Sequence, residues 1–236
     1  MTIRHRAADA AYRGLTLAAR SPALAISLAR IGRYGHPLSR ETEIVIEGFP
    51  RSGTSFAVAA FRRAQHRPVR IAHHLHAPGH VIAASRTGVP TLIVIRHPDE
   101  AVLDFAQSKP NLSVGAILQG YVRFHEPLLP HRWGFVTARF GDVLSDFNSV
   151  IRLVNDRFGT AFEEFDATQN NLAAVHADVE RDYEERKGSA PRILQAKDDR
   201  PVGAPEDGAE AEYHRNELVV LRTRARTVYE ELAGGA

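Results

Sequence analysis

The chain has no cysteine among its 236 residues, which excludes disulfides and thiolate-bound metal and suits a reducing, cytoplasmic setting. It also has little excess charge: 30 Lys and Arg against 28 Asp and Glu leave a formal +2, and no recognition module for DNA or RNA accompanies it. Nucleic acid is therefore not an expected partner. No long hydrophobic run is present either. The apolar stretch at residues 22–29 is much too short to cross a bilayer, and the arginines threaded around it match a cleaved signal peptide poorly. No internal repeat is found.

What remains suits one core-forming domain at residues 41–236, preceded by a basic segment at 1–40, with 44% hydrophobic residues to fill it. Arg4, Arg6, Arg13, Arg20, Arg30 and Arg33 run through Ala and Leu, and Ser21-Pro22 reads as an N-cap and first helical position. Two amphipathic helices are expected before residue 36. They dock on the domain, or they meet a membrane surface or another subunit. Further on, β-branched runs at 44–47, 69–72, 91–95 and 135–139 alternate with helical patterns near 54–65, 78–87, 98–108, 112–129, 142–158, 171–187 and 210–232. That order predicts an α/β fold with a central parallel sheet flanked by helices in three layers. A Gly-, Pro- and charge-rich stretch at 188–209 reads as a flexible loop or lid, and Leu218, Leu221, Ala225, Val228 and Leu232 give the last helix a packing stripe.

The most informative segment is 43–56, where a β-rich run ends in a turn of small hydroxyl residues that opens a helix. Amides around Ser52, Gly53, Thr54 and Ser55 at a helix N-terminus favour an anion, and Arg51 adds a full positive charge. Gly48 and Gly53 keep the spacing of a Walker loop, but Thr54 stands where its lysine belongs, which argues against an ordinary ATP or GTP site. A plain helix-capping turn is the bland alternative.

Pro50-Arg51-Ser52-Gly53-Thr54-Ser55-Phe56 resembles the P-K-S-G-T-T-W loop of P-loop sulfotransferases, here of a compact bacterial type, that use 3′-phosphoadenosine-5′-phosphosulfate. Arg51 replaces the lysine and Phe56 the tryptophan. Three further segments resemble family motifs in the same order. Arg96-His97-Pro98 and Asp104 match R-x-P-x-x-x-x-x-S, in which the arginine and the serine hold the donor's 3′-phosphate; Asp104 replaces that serine. A carboxylate facing a phosphate is repulsive by ~4 kcal/mol at about 4 Å and an effective dielectric near 20, unless a cation lies between them. Phe140-Gly141-Asp142-Val143 resembles Y-E-D-[LM], which gives Phe140 an adenine contact; a core phenylalanine is the alternative. Arg186-Lys187-Gly188 resembles the triplet that closes on the 3′-phosphate, although two cations and a glycine also end an ordinary helix.

His73-His74-Leu75 resembles the family's T-H-L, and the resemblance makes His74 the general base; the family's lysine two residues earlier is Ala72 here. His73, His74, His76 and His80 also invite a metal reading, which close spacing alone does not establish, and loop histidines at a strand end are the bland one. The resemblance implies transfer of a sulfuryl group to a hydroxyl or amine of a small molecule or glycolipid without metal, with acceptor contacts from 77–90, 106–134 and 188–209. A P-loop phosphotransferase and a non-catalytic nucleotide-binding module are the rival functions.

Overall fold

Strands that read as near-continuous apolar runs must be covered on both faces. Ile44–Gly48 (β1) and Thr91–Ile95 (β3) are buried throughout, and they pair in parallel, Val45 opposite Thr91 and Gly48 opposite Val94. Ile71–His73 (β2) joins the far side of β1, and Val136–Arg139 (β4) the far side of β3. The sheet is thus four-stranded, parallel, and ordered β2-β1-β3-β4. In this computed structural model, residues 3–32, 35–187 and 207–234 are described.

Alternate residues of the two central strands feed two cores. Ile44, Ile46, Leu92 and Val94 meet Thr54–Ala64 (α3), Phe147–Phe158 (α8) and Val175 of Gln169–Lys187 (α9). Ile93 and Ile95 meet Pro98–Ser108 (α5), Val114–His125 (α6) and Val219–Ala233 (α11) on the other face. Two helix layers with a sheet between them are the expected α/β architecture.

Pro78–Thr87 (α4), α5 and β3 have the bounds the sequence predicts. The helices predicted at 54–65 and 171–187 are single ones with ends shifted by one or two residues, while the other three break where caps or prolines intervene. Residues 112–129 become α6, capped by Ser113 Oγ on the Ala116 amide, and then a 3₁₀ stretch, Glu126–Gly134, which contains Pro127 and Pro130. Residues 142–158 split into Phe140–Ser145 (α7) and α8 at Asp146, whose side chain accepts from Ser149 N. The C-terminal pattern splits into Asp207–Tyr213 (α10), a 3₁₀ turn at Asn216–Leu218 that takes Leu218 out of the last helix, and α11. Residues 207–209, expected in a loop, open α10; residues 188–206 of that loop lie outside the described residues.

Ile3–Ala18 (α1) caps α6: Asp9 accepts from Ser113 N (2.9 Å) and Ser113 Oγ (2.6 Å). Pro22–Gly32 (α2) lays Ala25 and Ala29 against Leu75 and Ala77. α9 is tied to α3 by Arg63 to Asp178 (2.5 Å) and Arg62 to Asp182 (3.4 Å).

His125 is sealed in the α6 core against the Tyr121 and Phe49 rings. Its Nδ1 donates to Tyr121 O (2.9 Å), while Nε2 has no hydrogen-bond partner among the described residues. Burial pushes its pKa from 6.5 down to about 4, against the smaller opposing effect of that hydrogen bond. Between those values the unfolded chain binds more protons than the folded one. Stability therefore falls as pH drops through that window, by about 3 kcal/mol in all. Urea midpoints measured across it should show that slope, and His125→Phe should flatten it; an unchanged slope would place the titrating group elsewhere.

Candidate active site

After β1 the chain runs toward β2, and after β3 it runs toward β4. The carboxyl ends of these adjacent strands therefore flank a topological switch point, where α/β sheets bind ligands. The loops that leave them carry Arg51 and Arg96.

The β1–α3 loop is held by its shape. A Cβ on Gly48 would lie 2.5 Å from Val94 O, and one on Gly53, in the left-handed region at φ 88°, would lie 2.7 Å from the Phe140 ring. Phe49 drops into the aromatic core beside Phe105, Tyr121 and Phe124, which anchors the loop below. Arg51 is itself left-handed at φ 69°. Ser52 Oγ and Thr54 Oγ1 are buried without a hydrogen-bond partner among the described residues. Such atoms carry a desolvation cost of about 1–3 kcal/mol each unless a ligand or water meets them. Gly53, the N-cap, has no side chain to satisfy the first-turn amides of α3.

Arg51, Arg96 and Asp104 form one cluster. Arg51 Nε donates to Asp104 Oδ1 (2.8 Å) and Arg96 Nη1 to Asp104 Oδ2 (2.8 Å). Arg96 also donates to Arg51 O (3.1 Å) and Glu100 Oε2 (3.0 Å), and its guanidinium lies 4.4 Å from the Phe140 ring centroid. Its backbone is fixed by Tyr121, whose hydroxyl donates to Arg96 O (2.8 Å). Asp104 is therefore not an isolated acid: two guanidinium groups already lie against it, the case in which the expected repulsion of a phosphate is relieved. With Glu100 included, the two arginines meet two carboxylates.

His74 and Ser55 meet at the first turn of α3. His74 Nε2 lies 2.9 Å from Ser55 Oγ, and His74 Nδ1 contacts His73 Nδ1. One proton is shared between those two δ nitrogens, so the neutral rings present opposite states at their ε nitrogens. A base at His74 Nε2 requires that His74 Nδ1 be the donor. Arg62 Nη2, a donor, faces His73 Nε2 at 3.5 Å and favours the opposite tautomer, with His74 Nε2–H donating to Ser55 Oγ. A base at His74 therefore needs that long contact given up.

His74 (φ 63°) and His76 (φ 49°) are both left-handed, which costs a non-glycine residue roughly 1–2 kcal/mol. Glu47, fully buried on β1, sustains this segment. Its Oε1 accepts from Leu75 N (2.7 Å) and His80 Nδ1 (2.9 Å), and its Oε2 from His76 N (3.1 Å). Leu38 N donates to His80 Nε2 (3.0 Å), so the His80 proton sits on Nδ1, facing the carboxylate. Burial alone would raise the Glu47 pKa. The hydrogen bond from His80, the His80 and His76 rings, and the Leu75 amide outweigh it and hold the group below 4.5, ionised.

Of the four histidines of the segment, His73 and His74 meet each other, His80 meets Glu47, and His76 Nδ1 donates to Gly48 O (2.7 Å). Among the described residues no group of three or more His, Asp or Glu could hold a metal ion. Phe140 is half-buried between Gly53 and Arg96. Arg186 and Lys187 end α9, but their side chains, and all of Gly188, lie outside the described residues. Glu47 is what sequence reasoning missed, and with it the pairing of His80, which was read there only as a possible metal ligand. The signal was an acid at the last side-chain-bearing position of an otherwise apolar, doubly covered strand.

No family model and no curated protein sequence matches the chain. Solved structures that match include mouse sulfotransferase SULT7A1 complexed with PAP, at 14% identity, a TM-score of 0.45, and coverage of 89% of this chain and 93% of that one. A likeness of that size carries no functional argument. Function has to be read from this chain's own geometry.

Glu47→Gln would turn an N–H donor toward the His76 or Leu75 amide. Loss of about 2–3 kcal/mol of stability is expected, read from the urea midpoint. A wild-type midpoint would mean that these amides find other partners.

Proposed function

We propose that the chain is a sulfotransferase that moves a sulfuryl group from 3′-phosphoadenosine-5′-phosphosulfate to a hydroxyl or amine of a small-molecule or glycolipid acceptor. The observation that carries this reading is the meeting, at the switch point, of a glycine-shaped anion loop with an imidazole, through the 2.9 Å contact of Ser55 with His74. The two buried hydroxyls without partners, Ser52 Oγ and Thr54 Oγ1, fit a loop made for a polyanion.

In this reading the Ser52–Ser55 segment and Arg51 hold the 5′-phosphosulfate, while Arg96 and Asp104, with Arg186, Lys187 and Gly188, stand at the 3′-phosphate. Phe140 stands at the adenine. His74 Nε2 takes the acceptor's proton as the acceptor oxygen or nitrogen bonds to sulfur. The bond from sulfur to the bridging oxygen breaks, and that oxygen leaves on the nucleotide with its charge met by Arg51 and the loop amides. No metal is needed. A cytoplasmic location belongs to the same proposal; among the described residues no helix is long and apolar enough to cross a membrane.

The Asp104 cluster supports a second reading, a nucleotide-binding module without catalysis, because its arginines are already matched by acids. A phosphotransferase draws less support, since β3 runs into Arg96 where a magnesium-binding acid would serve.

Calorimetry separates the phosphotransferase from the other two. 3′-Phosphoadenosine-5′-phosphate should bind without metal and ahead of ADP or of ATP with magnesium, and Arg51→Ala should weaken it by about 1.5–3 kcal/mol. A requirement for magnesium, or indifference to that substitution, would sink the sulfotransferase reading.

The base is tested by His74→Asn, chosen because asparagine tolerates φ > 0. Transfer from the sulfated donor should fall about 10²–10⁴-fold with nucleotide affinity unchanged. Binding without turnover in the wild type would favour the non-catalytic module.

A further inference from the structure

The outward face of the two N-terminal helices carries no acid. Between residues 6 and 32, fifteen positions are exposed: four are Arg6, Arg13, Arg20 and Arg30, one is Ser27, and the other ten are Ala, Gly, Leu or Ile. An ordinary solvated helix face mixes both signs of charge with uncharged polar groups. Here apolar side chains stand open instead: Leu17 is 55% exposed, Leu24 51%, Leu28 38% and Ile31 81%. Leu24, Leu28 and Ile31 follow i, i+4, i+7 spacing and form one stripe along α2. Its Ala25 and Ala29 already serve another contact, against Leu75 and Ala77. The stripe is therefore not core turned outward by mistake of register. It is a second apolar face on a helix whose first is in use.

Charge decides what covers it. Residues 1–40 hold seven arginines and one acid, a formal +6 within a chain whose total is +2. That acid, Asp9, is buried and caps α6 through Ser113, so it offsets nothing on the outer face. A two-fold contact with a second copy would set this cationic face against itself. An anionic lipid surface matches both halves of the pattern, with leucine and isoleucine entering the headgroup boundary and arginines meeting phosphates.

We propose that α1 and α2 dock the protein on anionic membranes, with the Leu24, Leu28 and Ile31 stripe inserted at the interface. The inner side of α2 supports Leu75 and Ala77, which flank His76 in the segment that carries His74. Docking would thus bring the candidate active site to the lipid surface. If the proposed function holds, that placement favours an acceptor whose headgroup stands on a membrane.

The test uses the full chain and vesicles of phosphatidylcholine alone or mixed with phosphatidylglycerol, read by flotation, with neither nucleotide nor acceptor present. Binding to the mixed vesicles should exceed binding to neutral ones by at least about tenfold and should weaken as salt rises. Replacing Arg13 and Arg20 by Gln should cost about 10–30-fold, at about fivefold per arginine. Leu24→Gln, Leu28→Gln and Ile31→Gln together should lower the remaining binding at least as far, with urea midpoints unchanged because the positions are exposed. Equal binding to both vesicle types, or binding to neither, overturns the proposal, and these wild-type arms need no variant. A dimer in solution that the triple substitution dissociates would also overturn it and assign the stripe to a second copy. Failure of nucleotide to bind in calorimetry would leave the docking intact.

Discussion

The Glu47 carboxylate, sealed at the end of the central strand, is the charge on which the histidine segment depends. Stripping an ion of water costs several kcal/mol even after the protein relaxes, and only well-placed donors offset it. Here the donors are the Leu75 and His76 amides and the His80 ring, all from one short stretch of chain. Those amides belong to residues in or beside left-handed turns, where a strand ladder cannot serve them. The acid satisfies them, and they in turn keep it ionised. The result fixes His74 without touching it.

Topology supplies the rest of the pocket. Because β1 and β3 are neighbours whose chains depart in opposite directions, two loops distant in sequence open into one crevice. Arg51 and Arg96 come from the two sides of it and converge on Asp104. Their backbones are held from beneath by aromatic residues, Phe49 under the first loop and Tyr121 under the second. Both arginines therefore spring from backbone that is packed from below, while their charged ends stand partly open to solvent.

Much of this framework was legible in the sequence, for local reasons. Pro78 and Pro98 mark helix starts, and the short β-branched apolar run at 91–95 fits a doubly covered strand, so α4, α5 and β3 were readable residue by residue. The break between α7 and α8 turns on one side chain, Asp146, reaching Ser149 N, and a continuous helical period conceals it. The C-terminal break depends on contacts from elsewhere, with Tyr213 and Arg226 bound to Asp99 at the head of α5. The motif that resembles a phosphosulfate loop was visible because its residues are consecutive. The pairing of Arg51 with Asp104 spans 53 positions and that of Leu75 with Glu47 spans 28, and no periodicity encodes either. Asp104 read as a misfit because its partners could not be seen.

The Arg51–Asp104–Arg96 cluster has a consequence for how the pocket would take up any anion. A pair of bare guanidinium groups would collect whatever phosphate or sulfate diffused past. With a carboxylate already between them, an anion site here would work as an ion exchanger loaded with its own tethered counter-ion. An incoming ligand must displace or share Asp104, so a small inorganic anion gains little, whereas a ligand that also engages the loop amides and the Phe140 face has further contacts to set against the exchange. Under the proposed function, discrimination against small inorganic anions would then come from Asp104 itself.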